Sequence, residues 1–232
     1  MTVEHGREVE SAGTGRRRRG SLTREAILDA AERVVGAGGG ELTVRAVAAE
    51  LEASPMALYR YFGTKDELLE ALLDRVLGRV RTGPESADWV EDLRAFARAH
   101  REVLAAHPWA VTALFAHAVP GLNAVQLGEV ALAILARGGI HGEAAVAAFS
   151  AVVAMNYGWC AFASARDTPS TAGGPASDLA PALAALPVEH FPLTVAAAGP
   201  LARYGAPEQY ELALDRLVAG IAERGDLSSP RP

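Results

Sequence analysis

The 232 residues carry 22 Lys+Arg against 28 Asp+Glu, a formal net charge of −6, and half of them are apolar. That balance excludes a disordered polar chain, and the length allows a core that needs no disulfide or metal to hold it. The single cysteine, Cys160, excludes an internal disulfide and any cysteine-based metal site, and fits a cytoplasmic location.

The charge is unevenly placed. Residues 16–81 hold 12 basic and 10 acidic side chains, net +2, whereas residues 82–232 hold 9 and 15, net −6. A polyanionic partner would therefore meet the front of the chain. Residues 1–20 read as a polar, mobile arm that ends in Arg16, Arg17, Arg18 and Arg19, with none of the apolar run of a signal peptide. That arginine run suits a basic arm reaching phosphates or the minor groove.

Helical periodicity begins next. Leu22, Ile27, Ala30, Ala31 and Val34 share a face behind Thr23 as N-cap. The glycines at 36 and 38–40 end this helix. Thr43 caps a short second helix with Val44, Val47, Ala48 and Leu51 inward, and a turn follows at Glu52 and Ala53. Ser54 caps a third helix with Pro55 at its first position, where the missing N–H costs nothing. Leu58 and Phe62 pair at i,i+4 on its inner face. Gly63 stops it, and the capping box Thr64-Lys65-Asp66-Glu67 opens a fourth helix through Val80. Further helices are predicted over about Trp89–Ala106, after Pro108, from near Pro120 to Arg137, over Gly142–Ala165 and over Pro207–Glu223. Residues 166–187 read as a long loop and residues from 225 as a loose tail. The fold class is all-α. The domains divide as an arm (1–20), a helix-turn-helix unit with its linking helix (21–82), a larger helical domain (83–225) and a tail (226–232).

Two stretches without formal charge, Val103–Gly128 and Ala144–Ala165, are long enough to raise a membrane reading. Pro108, Pro120 and Gly121 break the first. The second carries Ser150, Asn156, Tyr157 and Ser164. Buried helices of an all-helical protein explain both better, with no membrane partner.

Thr43 to Phe62 form a helix-turn-helix, whose second helix fits the major groove. Ser54, Pro55, Met56 and Ala57 occupy its exposed start, where base edges are reached. Tyr59 and Tyr61 offer hydroxyls to the backbone, and Lys65 sits at a helix N-terminus where amides and a cation can hold one phosphate.

The stretches Ile27–Ala31, Leu42–Ala48 and Ser54–Leu69 resemble the DNA-binding domain of the tetracycline-repressor family. The Leu-Tyr-x-x-Phe core, short turn and lysine-containing capping box of the third are its most specific part. The resemblance implies a homodimer on a palindromic double-stranded DNA operator and a helical C-terminal domain holding a small-molecule effector. It implies phosphate contacts from Thr43, Arg45, Tyr59, Tyr61 and Lys65, with Ser54, Pro55, Met56 and Ala57 nearest the bases. Two departures stand out. Glu52 occupies a turn position usually held by glycine, and a left-handed backbone there costs on the order of 1 kcal/mol. Tyr61 replaces a common histidine.

In the 142–165 helix, small residues recur every three or four positions, among them Ala147, Ala151, Ala154 and Gly158. They fit either close internal packing or, as the resemblance implies, a dimer interface shared with Leu214 and Leu217 of the last helix. For the effector, several polar groups (Asn123, Gln126, Asn156, Tyr157) and bulky neighbours (His100, His107) are available. Trp109, Phe115, Gln126, Met155 and Trp159 are taken as the lining of a pocket for a small apolar or aromatic molecule. No metal-ligand spacing, phosphate loop or nucleophile elbow is present, so no cofactor and no enzyme activity are expected. The reading is a ligand-responsive regulator, most simply a repressor. The alternatives are control by a protein partner, and a helical enzyme or carrier with a helix-turn-helix-like front.

Overall fold

The structure is a computed structural model that describes residues 22–37, 42–116, 121–167 and 179–227. Arg16 to Arg19 lie outside the described residues. Among those described, every regular element is a helix.

Helix α1 (Arg24–Gly36) starts at Thr23, whose hydroxyl oxygen accepts from Ala26 N. Helix α2 (Val44–Glu50) starts at Thr43 in the same manner. Its end is a Schellman turn: Ala53 N donates to Ala48 O and Glu52 N to Ala49 O. That turn requires a left-handed residue, and Glu52 supplies it at φ 50°. Helix α3 (Pro55–Tyr59) is shorter than the periodicity implies. Leu58 and Phe62 are buried, but the chain turns at Arg60 and Tyr61, so Phe62 reaches the core from the turn. Helix α4 (Lys65–Leu77) opens on the expected cap, with Thr64 Oγ1 accepting from Glu67 N; the Glu67 carboxylate reaches one residue further back, to Gly63 N at 2.7 Å. Ile27, Ala30, Ala31, Val47, Ala48, Leu58, Phe62, Leu68 and Leu72 close one apolar core from these four helices.

The larger body is built on α5 (Trp89–Ala106), which packs against α7 (Leu122–Arg137), α8 (Gly142–Asp167) and α12 (Pro207–Leu227). Its core includes Leu93, Phe96, Leu135, Val152, Tyr210, Leu214 and Val218. Arg94 and Arg98 of α5 pair with Asp215 and Glu211 of α12 at 3.1 and 2.9 Å. Helix α6 (Pro108–Ala116) lies between the two bodies.

Three parts of the sequence reading change. Residues 166–187 are not all loop: α8 runs to Asp167 and α9 (Leu179–Ala184) occupies the far end. Two single-turn helices, α10 (Pro192–Ala196) and α11 (Ala198–Ala202), follow it, started by Pro192 and turned by small residues that leave no periodic signature. Helix α8 is apolar but not a buried helix. It is long and apolar enough to cross a bilayer by length and composition, and only 28% of its most apolar window is buried. One face carries Ala145, Ala148, Val152, Asn156 and Cys160 into the core, while Val146, Ala147, Ala154 and Phe162 face outward.

Two close approaches tie the bodies. Asp74 of α4 accepts from Ala124 N at 3.0 Å and from Asn123 Nδ2 at 2.9 Å, so α4 caps α7, which has no capping side chain of its own. A Cβ on Gly121 would fall 2.2 Å from Asp74 Oδ1, which requires glycine there. The second approach is apolar: Leu73 and Val76 of α4 meet Ala110 of α6, with Trp109 beside them.

Replacing Glu52 by glycine removes the left-handed strain and adds some unfolded-chain entropy. Glu52→Gly is expected to raise stability by a few tenths to about 1 kcal/mol in urea unfolding; a loss would show that the Glu52 side chain holds the turn.

Candidate nucleic-acid interface and ligand domain

Helix α3 stands on the core through Leu58, 1% exposed, and presents the opposite side to solvent, with Met56 73% exposed. Ser54 and Pro55 are also exposed, and Ala57 is half-buried. Ser54 Oγ accepts from Ala57 N at 3.3 Å, a bond that does not use its own O–H. Thr43, Arg45 and Tyr59 are exposed beside this helix, and Lys65 lies half-buried at the start of α4.

Tyr61 differs from its expected role. Its hydroxyl donates to the Leu22 carbonyl, which anchors the start of α1 and commits the one hydrogen a phosphate would need. Two cations not singled out in the sequence stand close by. Arg60 is exposed at the end of α3. Arg24 lies over the Phe62 ring at 4.1 Å and donates to Tyr61 O at 3.0 Å. A single arginine within a helical period gives no signal of this; only the turn after Tyr59 brings them together.

The five residues taken as a pocket do not share one. Trp109 packs at the α4–α6 junction, facing a groove of about 600 Å³ with Glu32, Val35 and His107. Gln126 is exposed along a groove of about 300 Å³ with Leu77, Arg81 and Asn123. Phe115 is 63% exposed with its ring edge-on to Tyr157. Met155 and Trp159 pack on the main core, and Trp159 Nε1 donates to Gly205 O at 3.1 Å. Residues on different helices met in the sequence as neighbours, whereas helix faces separate them in space.

Among the described residues of this domain, His100, Asn156 and the Tyr210 hydroxyl are buried polar groups. Asn156 is bonded to Ala97 O, His100 and the Tyr210 hydroxyl. Burial pushes the His100 imidazole down to about 4. Tyr210, wholly buried, escaped the sequence reading because a tyrosine in an amphipathic helix reads as packing.

At the junction, Arg79 grips Glu32 of α1 with both guanidinium nitrogens, at 2.5 and 2.7 Å. His107, at the α5–α6 corner, donates through Nδ1 to Val103 O at 2.7 Å, leaving Nε2 to accept from Arg79. Glu32 is held below the usual carboxylate range, first by this hydrogen bond from Arg79. A second ion pair joins Arg75 of α4 to Asp29 of α1.

The proposed dimer surface is partly corrected. Ala147 and Ala154 are exposed, and Ala151 and Gly158 half-buried, along the outer side of α8. Leu214, however, is 0% exposed: with Tyr210 and Val218 it forms the inner row of α12 and is used up in the chain's own core. Leu217 packs partly on the same core, and Leu212 is the leucine that faces out.

Comparison with known proteins accounts for this architecture. Residues 27–72 match the family "Bacterial regulatory proteins, tetR family" and residues 82–224 match "Tetracyclin repressor-like, C-terminal domain". The chain belongs to the TetR family of transcriptional regulators, which is not a class of enzymes. It is 38% identical over 138 residues to an HTH-type transcriptional regulator of Saccharopolyspora erythraea, a match spanning 59% of this chain and 58% of that protein. It is 31% identical over 203 residues to an HTH-type transcriptional repressor of Mycobacterium tuberculosis, covering 84% of this chain and 77% of the relative. Among solved structures, apo ActR of Streptomyces coelicolor superposes with TM-score 0.82 at 28% identity, over 90% of this chain and 99% of ActR. ActR has also been solved in complex with actinorhodin.

The buried imidazole has a consequence for stability. The folded chain resists a proton that an unfolded histidine takes up near pH 6.5, so this contribution is full above about pH 6.5 and is lost as pH falls toward 4. His100→Gln is therefore expected to lose on the order of 2–3 kcal/mol less than wild type between pH 7 and pH 4.5, measured by urea unfolding. Equal losses in the two proteins would contradict a neutral buried ring.

Proposed function

We propose that this chain is a cytoplasmic, ligand-responsive repressor that binds a palindromic DNA operator as a homodimer. The observation that carries the proposal is the presentation of α3: its inner side is locked to the core by Leu58 while Ser54, Pro55 and Met56 stand clear of the surface. A short capped helix so placed fits the major groove end-on. Thr43, Arg45, Tyr59 and Lys65, with Arg24 and Arg60, surround it with phosphate-binding groups. In the sequence, Arg16 to Arg19 precede this unit and add four positive charges to it.

Two copies meet through the outer side of α8, where Ala147, Ala151, Ala154 and Gly158 allow close helix approach, with the exposed edge of α12 beside it. Pairing there covers an apolar helix face that the single chain leaves open. It also sets the separation of the two α3 helices, which must match successive major grooves.

Effector binding in the larger domain reaches the DNA-binding unit through α4. Movement of α6 acts on Leu73 and Val76; movement of α7 acts on Asp74; movement of the α5–α6 corner acts on Arg79. ActR, the neighbour solved with actinorhodin bound, supports a small organic molecule as the signal.

The test is fluorescence anisotropy on DNA from upstream of the protein's own gene, with a salt titration and scrambled competitor. Lys65→Ala is expected to weaken binding to all sequences and reduce the salt slope by about one unit. Met56→Ala is expected to change which bases are preferred. An unchanged slope for the first, or uniform loss for the second, would contradict these roles.

A further inference from the structure

A row of buried polar groups crosses the core of the larger domain and ends one bond short. Tyr210 of α12 donates its hydroxyl to Asn156 Oδ1 of α8 at 2.9 Å. Asn156 Nδ2 lies 2.9 Å from Ala97 O of α5 and 3.1 Å from His100 Nδ1. His100, Asn156 and Tyr210 are all wholly buried.

Chemistry settles the direction of each bond. A carbonyl oxygen only accepts, so the Asn156 atom facing Ala97 O is the amide nitrogen, and its second hydrogen points to His100 Nδ1. Nδ1 is thereby the acceptor. Burial keeps the ring neutral, and a second proton would set N–H against N–H. The single ring hydrogen therefore sits on Nε2. Nε2 is buried and meets no hydrogen-bond partner. An unmet buried donor carries a desolvation cost that a bound acceptor removes.

The surroundings say what kind of acceptor fits. The His100 ring lies 6.2 Å from the Phe96 ring and 5.8 Å from the Tyr157 ring, centre to centre. Tyr157 in turn meets Phe115 edge-on at 5.4 Å, and Phe115 is exposed. Leu104, Val111, Leu114 and Cys160 complete an apolar cluster against Tyr157. The Phe115 and Tyr157 rings thus form a chain of aromatic contacts from exposed Phe115 to the buried His100 ring. Arg101, on the same helix as His100, is turned to the Tyr210 ring at 4.3 Å. An apolar, aromatic surround with one neutral N–H favours a neutral ring system with a carbonyl oxygen over a carboxylate or an ammonium.

Resting on the ligand-responsive reading above, we infer that the effector site lies between α5, α6 and α8 and takes a neutral, flat aromatic ketone. Its carbonyl oxygen accepts from His100 Nε2–H, and its ring packs against Tyr157 and Phe115. Asn156 and Tyr210 are positioning residues: they fix the tautomer that makes His100 a donor.

The probes are 9-fluorenone and fluorene, which share a carbon frame and differ in one carbonyl. Calorimetric titration of the full-length protein is expected to show fluorenone binding about tenfold more tightly than fluorene, the worth of one bond to an unmet buried donor. His100→Phe is expected to erase that preference while keeping fluorene affinity, and His100→Gln, which retains an N–H, to restore part of it. In wild type, long-range proton–nitrogen NMR is expected to show hydrogen on Nε2 and a Nε2 shift on adding fluorenone but not fluorene. The NMR result stands even if a variant fails to fold. Equal affinity for both probes, a preference that survives His100→Phe, or hydrogen on Nδ1 would overturn the His100 assignment while leaving a ligand-binding domain intact. Binding of neither probe, with an unmoved Nε2 signal, would overturn the assignment and the ligand-responsive reading of this site together.

Discussion

Helix α4 belongs to both bodies, and the rest of the described molecule depends on how it is held. Its first turns complete the apolar core around α3, through Leu68 and Leu72. Its last turns lie against α6 through Leu73, Val76 and Ala110, cap α7 through Asp74, and the chain just beyond reaches back to α1 through Arg79. No rearrangement of the larger body that shifts α6 or α7 can leave α4 in place without breaking a cap or opening an apolar contact. Since close-packed interiors move as rigid pieces, a small displacement there is delivered to α3 rather than absorbed.

The chemistry of the junction is mixed for a physical reason. Apolar contact around Trp109 supplies non-directional adhesion, which tolerates sliding. The Asp74 cap and the Arg79–Glu32 pair supply direction, because each bond is lost within about an ångström of displacement. The two together hold α4 against both bodies and fix its direction. The half-buried ion pair has a further feature: the Arg79 guanidinium is shared between Glu32 of the DNA-binding unit and His107 at the α5–α6 corner. One side chain thus senses both bodies.

The DNA-binding unit was legible in the sequence because its signals are local. Thr23, Thr43, Ser54 and Thr64 each cap the helix that follows them, and the left-handed turn expected at Glu52 is present. The C-terminal body was legible in outline only. Helices α5 and α7 keep the limits their sequence implies, but the identity of the buried faces does not follow from spacing when a helix is apolar most of the way round. Leu212, Leu214, Leu217 and Val218 of α12 span so wide an arc that the inner row had to be seen to be known. The same applies to the effector site. Trp109 and Gln126 looked like pocket residues because they are bulky or polar in apolar surroundings, yet each serves a different groove. His100 acquires its character only from Asn156 and Tyr210, which lie more than fifty residues away in the chain.

The central claim is that the α4 junction sets the spacing of two α3 helices in a dimer. Spin labels at Ala49→Cys, an exposed position of α2 in the same packed unit as α3 and outside the residues assigned to DNA, in a Cys160→Ser background, report that spacing by pulsed dipolar spectroscopy. The account predicts one narrow intersubunit distance of about one DNA turn, ~35 Å, when operator DNA is bound. It also predicts a broadened or shifted distance when Trp109→Ala loosens the junction. Absence of an intersubunit distance, or a distance that Trp109→Ala leaves unchanged, would contradict it.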